Sequence, residues 1–366
     1  MPTMNESEIK AKIADGTIFA VSVDTAVFNK YSCNLDFKVL NKLDQFKTGP
    51  IKVILSEIVI NEITTHIARS AEASQRELHK AIKNQDKRWK TGVDIAKLPD
   101  TLALWGDPIK AAETQIEDYL AAIGGEVVRA SGTVDVSGEL LRRYFAIEPP
   151  FESSDQKKHE FPDCFALLSL ESVASSHQKL LLCVSPDNGW KNFAAQSPHL
   201  VCVTDLELAL SYFNDSGRNV ADQTMTMWKS GTAPELDTEV DHAFEYRLSG
   251  TDFEADGWSL FNYEIEPIGA VMQWVNLETA SAPIVIAADE KAVTFTTNVI
   301  ALVAFEANFG SERISVEDEI EFELVITVLR DIDSEPRVVD VEVAKKHLAV
   351  DFGEIFCSED PTHEKY

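Results

Sequence analysis

Apolar and polar positions follow two rhythms along this chain, and the change falls near residue 213. In the first part, short continuous apolar runs stand apart: IFAVSV (18–23), KVILS (52–56), KLLLCV (179–184) and HLVCV (199–203). Helical spacing follows them. After KVILS, with Ser56 as a candidate N-cap, Ile58, Val59, Ile63 and Ile67 recur at helical spacing. Strand then helix, repeated, implies a parallel sheet wrapped by helices. From about 66 to 150 the chain turns polar and reads as a mostly helical insertion, closed by Pro149 and Pro150.

Beyond 213 the texture differs. Residues 213–235 read as a linker. From FEYRLSG (244–250) onward, segments such as EFELVITV (321–328) alternate polar and apolar residues between turns rich in Gly, Asp, Glu and Ser. That alternation predicts a mainly antiparallel β domain, a sandwich or a curved sheet, over 236–356. The expected organisation is an α/β domain at 17–212, the linker, the β domain and a tail at 357–366.

At 366 residues, 45% of them hydrophobic, the chain is large enough for two ordinary cores. No apolar run approaches the roughly 20 residues of a membrane span, and the polar start MPTMNESEIKAK lacks a signal-peptide core. A cytoplasmic address, with no membrane partner, is the expectation. Five scattered cysteines without a CxxC pair support neither a disulfide framework nor a zinc cluster. The net charge of −28 is uneven: residues 1–230 carry 25 Lys and Arg against 31 Asp and Glu, residues 231–366 carry 8 against 30. The acidic second part is a poor surface for nonspecific nucleic-acid binding. The first part holds a locally basic stretch, 69–90, that reads either as an RNA-facing arm or as a solvated helix face.

Candidate chemistry lies in carboxylates at element ends. Asp24 ends the first strand and Asp187 follows the third; Glu62 lies on the helix after the second; Glu160 and Asp163 flank Pro162 at a helix start. Each has a plain alternative as a cap, a turn residue or a solvated acid. Taken together they sit where ligands sit in parallel α/β sheets, beyond the carboxyl ends of the strands. Carboxylates converging on one cleft repel, and ionised they call for a cation. Oxygen-only ligands favour Mg²⁺ or Mn²⁺ over zinc.

The pieces FAVSVDTAVF, VILSEIVINEI, KKHEFPDCFALLSLE and LLCVSPDNGWKNFA resemble PIN-domain nucleases, in a bacterial branch with an insertion between the second and third acids. The resemblance covers about 17–210. It implies an α/β/α sandwich around a central parallel sheet and metal-dependent cleavage of single-stranded or structured RNA. Asp24, Glu62, Asp163 and Asp187 match the family's acidic set, with Glu160 at a position often acidic. The C-terminal β domain has no counterpart in the minimal fold.

On that reading, Lys157, Lys158, Arg142 and Arg143 are candidate phosphate contacts, and Trp190 stacks on a base or packs in the core. His66 and His159 are candidates for proton transfer or for surface roles. A non-cleaving RNA- or protein-binding module and a restrained toxin or defence effector remain open. The acidic β domain is a candidate for recruiting a protein partner, for oligomerisation or for shielding the basic insertion. A serine hydrolase and a nucleotide-binding enzyme fit poorly, since GxSxG, GxxxxGK[ST] and GxGxxG are absent.

Overall fold

A computed structural model describes residues 4–89, 106–129, 136–152, 160–249, 253–258, 265–310, 312–330, 336–344 and 348–355. The chain forms two compact units, Met1–Tyr212 and Phe213–Tyr366.

In the first unit, helix α1 (Glu6–Ala14) is started by a capping box between Asn5 and Glu8. Next come β1 (Ile18–Val23), α2 (Thr25–Lys30), the single turn α3 (Lys38–Asn41), β2 (Lys52–Ser56) and the long α4 (Glu57–Trp89). Then follow α5 (Pro108–Ile123), β3 (Glu126–Val128), α6 (Val136–Ala146) and α7 (Phe161–Ser176). The unit closes with β4 (Leu180–Val184), α8 (Asn188–Gln196), β5 (Leu200–Val203) and α9 (Leu206–Ser211).

The five strands form one parallel sheet in the order β3-β2-β1-β4-β5. Every residue of β1 and β4 is buried, as expected of a parallel sheet with helices on both faces. This is the expected α/β/α sandwich. The segment anticipated as an insertion supplies more than helices: β3 pairs with β2 and forms one edge of the sheet.

Strand order fixes where a site can form. From β1 the chain builds outward through β2 and β3, then returns to the other side of β1 with β4 and β5. The reversal leaves a crevice beyond the carboxyl ends of β1 and β4. Val23 pairs with Val184, so Asp24 and Ser185 are the first residues past two adjacent strands.

The second unit departs from expectation in its first third. The stretch expected to be a linker holds α10 (Arg218–Lys229), whose Ala221, Met225 and Trp228 are buried in that unit's core. Within FEYRLSG, residues 244–248 are not a strand but the end of α11 (Pro234–Leu248), which buries Leu236, Val240, Phe244 and Leu248, one per turn. Polar and acidic residues between these positions hide a four-residue spacing that is helical.

Strands follow: β6 (Glu254–Trp258), β7 (Ile265–Asn276), β8 (Ile284–Ala288), β9 (Ala292–Phe309), β10 (Glu312–Leu329), β11 (Arg337–Val343) and β12 (Ala349–Glu354). An antiparallel sheet runs β11-β10-β9-β7, with β8 also on β9, and β12 pairs with β6 separately. The expected tail, 357–366, lies outside the described residues. Among the described residues no helix is long and apolar enough to cross a membrane.

Candidate active site

Asp24 is the N-cap of α2, yet its carboxylate makes no cap hydrogen bond. Instead Ser185 Oγ donates to Asp24 Oδ2 at 2.7 Å, and the Asp24 N–H bonds Val184 O at 3.0 Å. Asp24 is 5% exposed. Burial pushes its pKa up to about 6, and the nearby Asp187 charge adds to the push. The Ser185 hydroxyl and the N–H groups of Thr25 and Ala26 pull the other way.

Asp187 caps α8 through Oδ1, which accepts from the N–H of Gly189 at 2.6 Å and of Trp190 at 3.2 Å. Its own N–H donates to Ser185 Oγ at 3.0 Å. One serine hydroxyl thus bonds both acids. Gly189 is required here by close approach: a Cβ at that position would stand 2.8 Å from Asp187 Oδ1 and 3.0 Å from Pro150 Cβ.

Glu62 lies in the second turn of α4, where Thr25 Oγ1 donates to its Oε2 at 2.5 Å. Asp163 sits in the first turn of α7 and accepts from Trp190 Nε1 at 2.9 Å. Burial pushes the Asp163 pKa up to about 7, opposed by the indole N–H and reinforced by the charges of Asp24, Asp187 and Glu62. The four acids, drawn from three helix starts and the flank of α4, therefore share one electrostatic neighbourhood.

Glu62, Asp163 and Asp187 are each held through one oxygen among the described residues, while Asp24 accepts from Ser185 and is approached by the N–H groups of Thr25 and Ala26. Carboxylate oxygens of this kind are the donor chemistry of hard divalent cations. In their present rotamers the side chains do not close into a cage: among the described residues no group of three or more His, Cys, Asp or Glu is gathered closely enough to hold an ion.

Residues 21–190 match the family model described as PIN domain. The first unit contains a PIN domain. No curated protein and no solved structure gives a significant match to the chain. PIN domains are in general nuclease-type folds that use divalent metals and bind nucleic acid, and the matched stretch spans all four acids.

Around this PIN-domain crevice several expected contacts stand elsewhere. Glu160, N-cap residue of α7, turns its Oε2 to the N–H of Glu152 at 2.9 Å. Trp190 is 0% exposed, so it does not stack on a base; its ring packs in the core while its N–H holds Asp163. The Arg142 guanidinium is gripped by Glu139 and Glu148 through four hydrogen bonds of 2.6–2.8 Å. Arg143 bonds Glu139 and Pro149 O and lies over the Phe193 ring. Four of the five N–H donors of Arg142 and two of the five of Arg143 are thus engaged by local carboxylates and a carbonyl.

His66 bonds Asn29 Oδ1 through Nδ1 at 2.7 Å. Lys157, Lys158 and His159 lie outside the described residues. Two features escape a reading of the sequence. Ser185 has a legible signal, a serine two residues before an acid at a strand end. The buried Glu207, which binds Lys30 and Tyr31 and so ties α9 to the end of α2, has none.

Proposed function

We propose that the chain is a metal-dependent endoribonuclease whose centre is formed by Asp24, Glu62, Asp163 and Asp187. The observation that carries this is the convergence of four acids at the sheet's switch point, two with pKa values raised by burial and mutual charge. A bound Mg²⁺ or Mn²⁺ would supply charge neutralisation at the phosphodiester and lower the pKa of an attacking water.

The chain's own residues do the rest. Asp24 and Asp163, the first buried and the second half-buried, present oxygens whose charge is favourable only when a cation or a proton is near. Ser185 keeps Asp24 and the Asp187 backbone in register, and Trp190 fixes the rotamer of Asp163. Thr25 ties Glu62 to the loop that carries Asp24. Preorganised in this way, the acids avoid part of the reorganisation cost of binding.

The test is cleavage of a mixed RNA pool with Mn²⁺ or Mg²⁺ and with EDTA, for wild type and Asp163→Asn. Cutting that needs the ion and drops about a hundredfold or more in the variant supports the proposal. Equal cutting by both proteins contradicts it, and ion-dependent binding without cutting by wild type would make the fold a binding module.

A further inference from the structure

Helix α4 runs well past the candidate site, and its surface is not uniform. Arg69, Arg76, Lys80, Lys83 and Lys87 are spaced 7, 4, 3 and 4 residues apart. At 3.6 residues per turn these spacings keep all five within about 40° of one line down the helix. All five are exposed. The two other positions on that line beyond Glu62, Thr65 and Ala73, are uncharged. The opposite side of the helix carries the half-buried Ala71, Gln75 and Ile82, and α4 packs along α5.

Two facts separate this stripe from an ordinary solvated face. A solvated helix mixes signs so that residues at i and i+4 attract. Here Arg76–Lys80, Lys80–Lys83 and Lys83–Lys87 are successive like-charged neighbours along the line, a destabilising arrangement, while the acids at helical spacing from it, Glu72 before Arg76 and Glu77 before Lys80, stand off the line. Glu72 and Glu77 lie to either side of the line, and among the described residues none of the five basic side chains makes an ion pair. The second fact is alignment: Glu62, one of the four acids, lies on the same line seven residues before Arg69. From Glu62 to Lys87 the stripe covers about 37 Å at 1.5 Å per residue.

We propose that this face of α4 is a track for the phosphate backbone of a polynucleotide, leading it away from the carboxylate site. The track rests on the nuclease reading for its direction, and it adds a substrate requirement: a strand long enough to follow the helix. Its chemistry is phosphate neutralisation by exposed Lys and Arg, which gives affinity without base preference.

Binding is measured in EDTA, by fluorescence anisotropy, with mixed-sequence single-stranded RNAs of about 5 and about 30 nucleotides over a range of NaCl. Wild type is compared with the combined Arg76→Ala, Lys80→Ala, Lys83→Ala and Lys87→Ala variant, and with a Glu72→Gln, Glu77→Gln control. The expected result is that wild type prefers the longer RNA and that the fourfold variant binds it about tenfold more weakly, or weaker still. Its slope of log K against log salt should become shallower by about 2–3, at roughly 0.7 for each phosphate that is no longer neutralised. The control should bind at least as tightly as wild type.

Should circular dichroism show the fourfold variant unfolded, the single reversals Lys80→Glu and Lys83→Glu are each expected to weaken binding severalfold. Unchanged affinity and slope, or no preference for the longer RNA, would overturn the track. So would displacement of the RNA by a polyglutamate peptide at equal charge concentration, which would mark a surface for acidic protein. Because EDTA removes the ion, this result is independent of whether the protein cuts.

Discussion

Asp163 is the residue on which the proposed chemistry turns. Its pKa stands near 7 because burial and three neighbouring carboxylates oppose its charge. The native state therefore holds a proton that the unfolded chain, near its ordinary value, gives up. Stability from this group is full below about pH 4 and is lost as pH rises towards about 7. Asp24, pushed up to about 6, acts in the same sense. In EDTA, thermal unfolding scans should show Tm falling between about pH 4 and about pH 7.

Asp163→Asn, whose amide oxygen still accepts from Trp190, should be more stable than wild type at about pH 7.5 by about 1–3 kcal/mol. A less stable variant would mean that the four acids do not repel. Trp190→Phe removes the indole N–H, keeps most of the packing, and should cost about 1–2 kcal/mol while loosening Asp163. The Trp190 role also shows where the sequence stops being informative. That an indole is buried follows from its apolar area; which carboxylate its N–H meets depends on how α8 lies against α7, and only the packed structure gives that.

At the level of elements, the carboxyl ends of β1 and β4 hold the site together, with Ser185 linking their two acids. The start of α8 is tight enough for a single methyl to matter. Gly189→Ala would push against Asp187 Oδ1 and Pro150, so it should cost about 1–3 kcal/mol and lower cleavage severalfold, read by unfolding and by activity side by side. Unchanged stability and activity would show that the close approach is relieved at no expense.

The strands of this unit were legible because a sheet covered on both faces buries every residue, leaving uninterrupted runs such as IFAVSV. The helices α10 and α11 were not. Their buried positions, Met225 and Trp228 or Val240 and Phe244, are diluted by Thr, Asp and Glu, so that a single-residue texture looks like linker or strand. Arg142 and Arg143 show a related limit: the sequence does not reveal that Glu139 and Glu148 stand beside this basic pair.

Across the whole molecule, charge is the dominant feature. The net −28 is concentrated in the second part, where Glu317, Glu319, Glu321 and Glu323 alternate along β10 and so share one face of its sheet. Self-repulsion of this size weakens the folded state and is screened by salt. Raising NaCl from about 20 to about 300 mM should therefore raise Tm by a few degrees, and a flat response would show that the acids are already neutralised by local partners. In the PIN-domain unit repulsion also gathers at the crevice, where Asp187 raises the pKa of Asp24, and Asp24, Asp187 and Glu62 raise that of Asp163.

Anomalous diffraction from crystals grown with Mn²⁺ would decide whether the four acids form a metal centre. Such a centre predicts a peak beyond the carboxyl ends of β1 and β4, with oxygens of Asp24 and Asp163 about 2.0–2.3 Å away after small rotamer changes. A crevice empty at saturating Mn²⁺, or an ion bound only elsewhere, would rule it out.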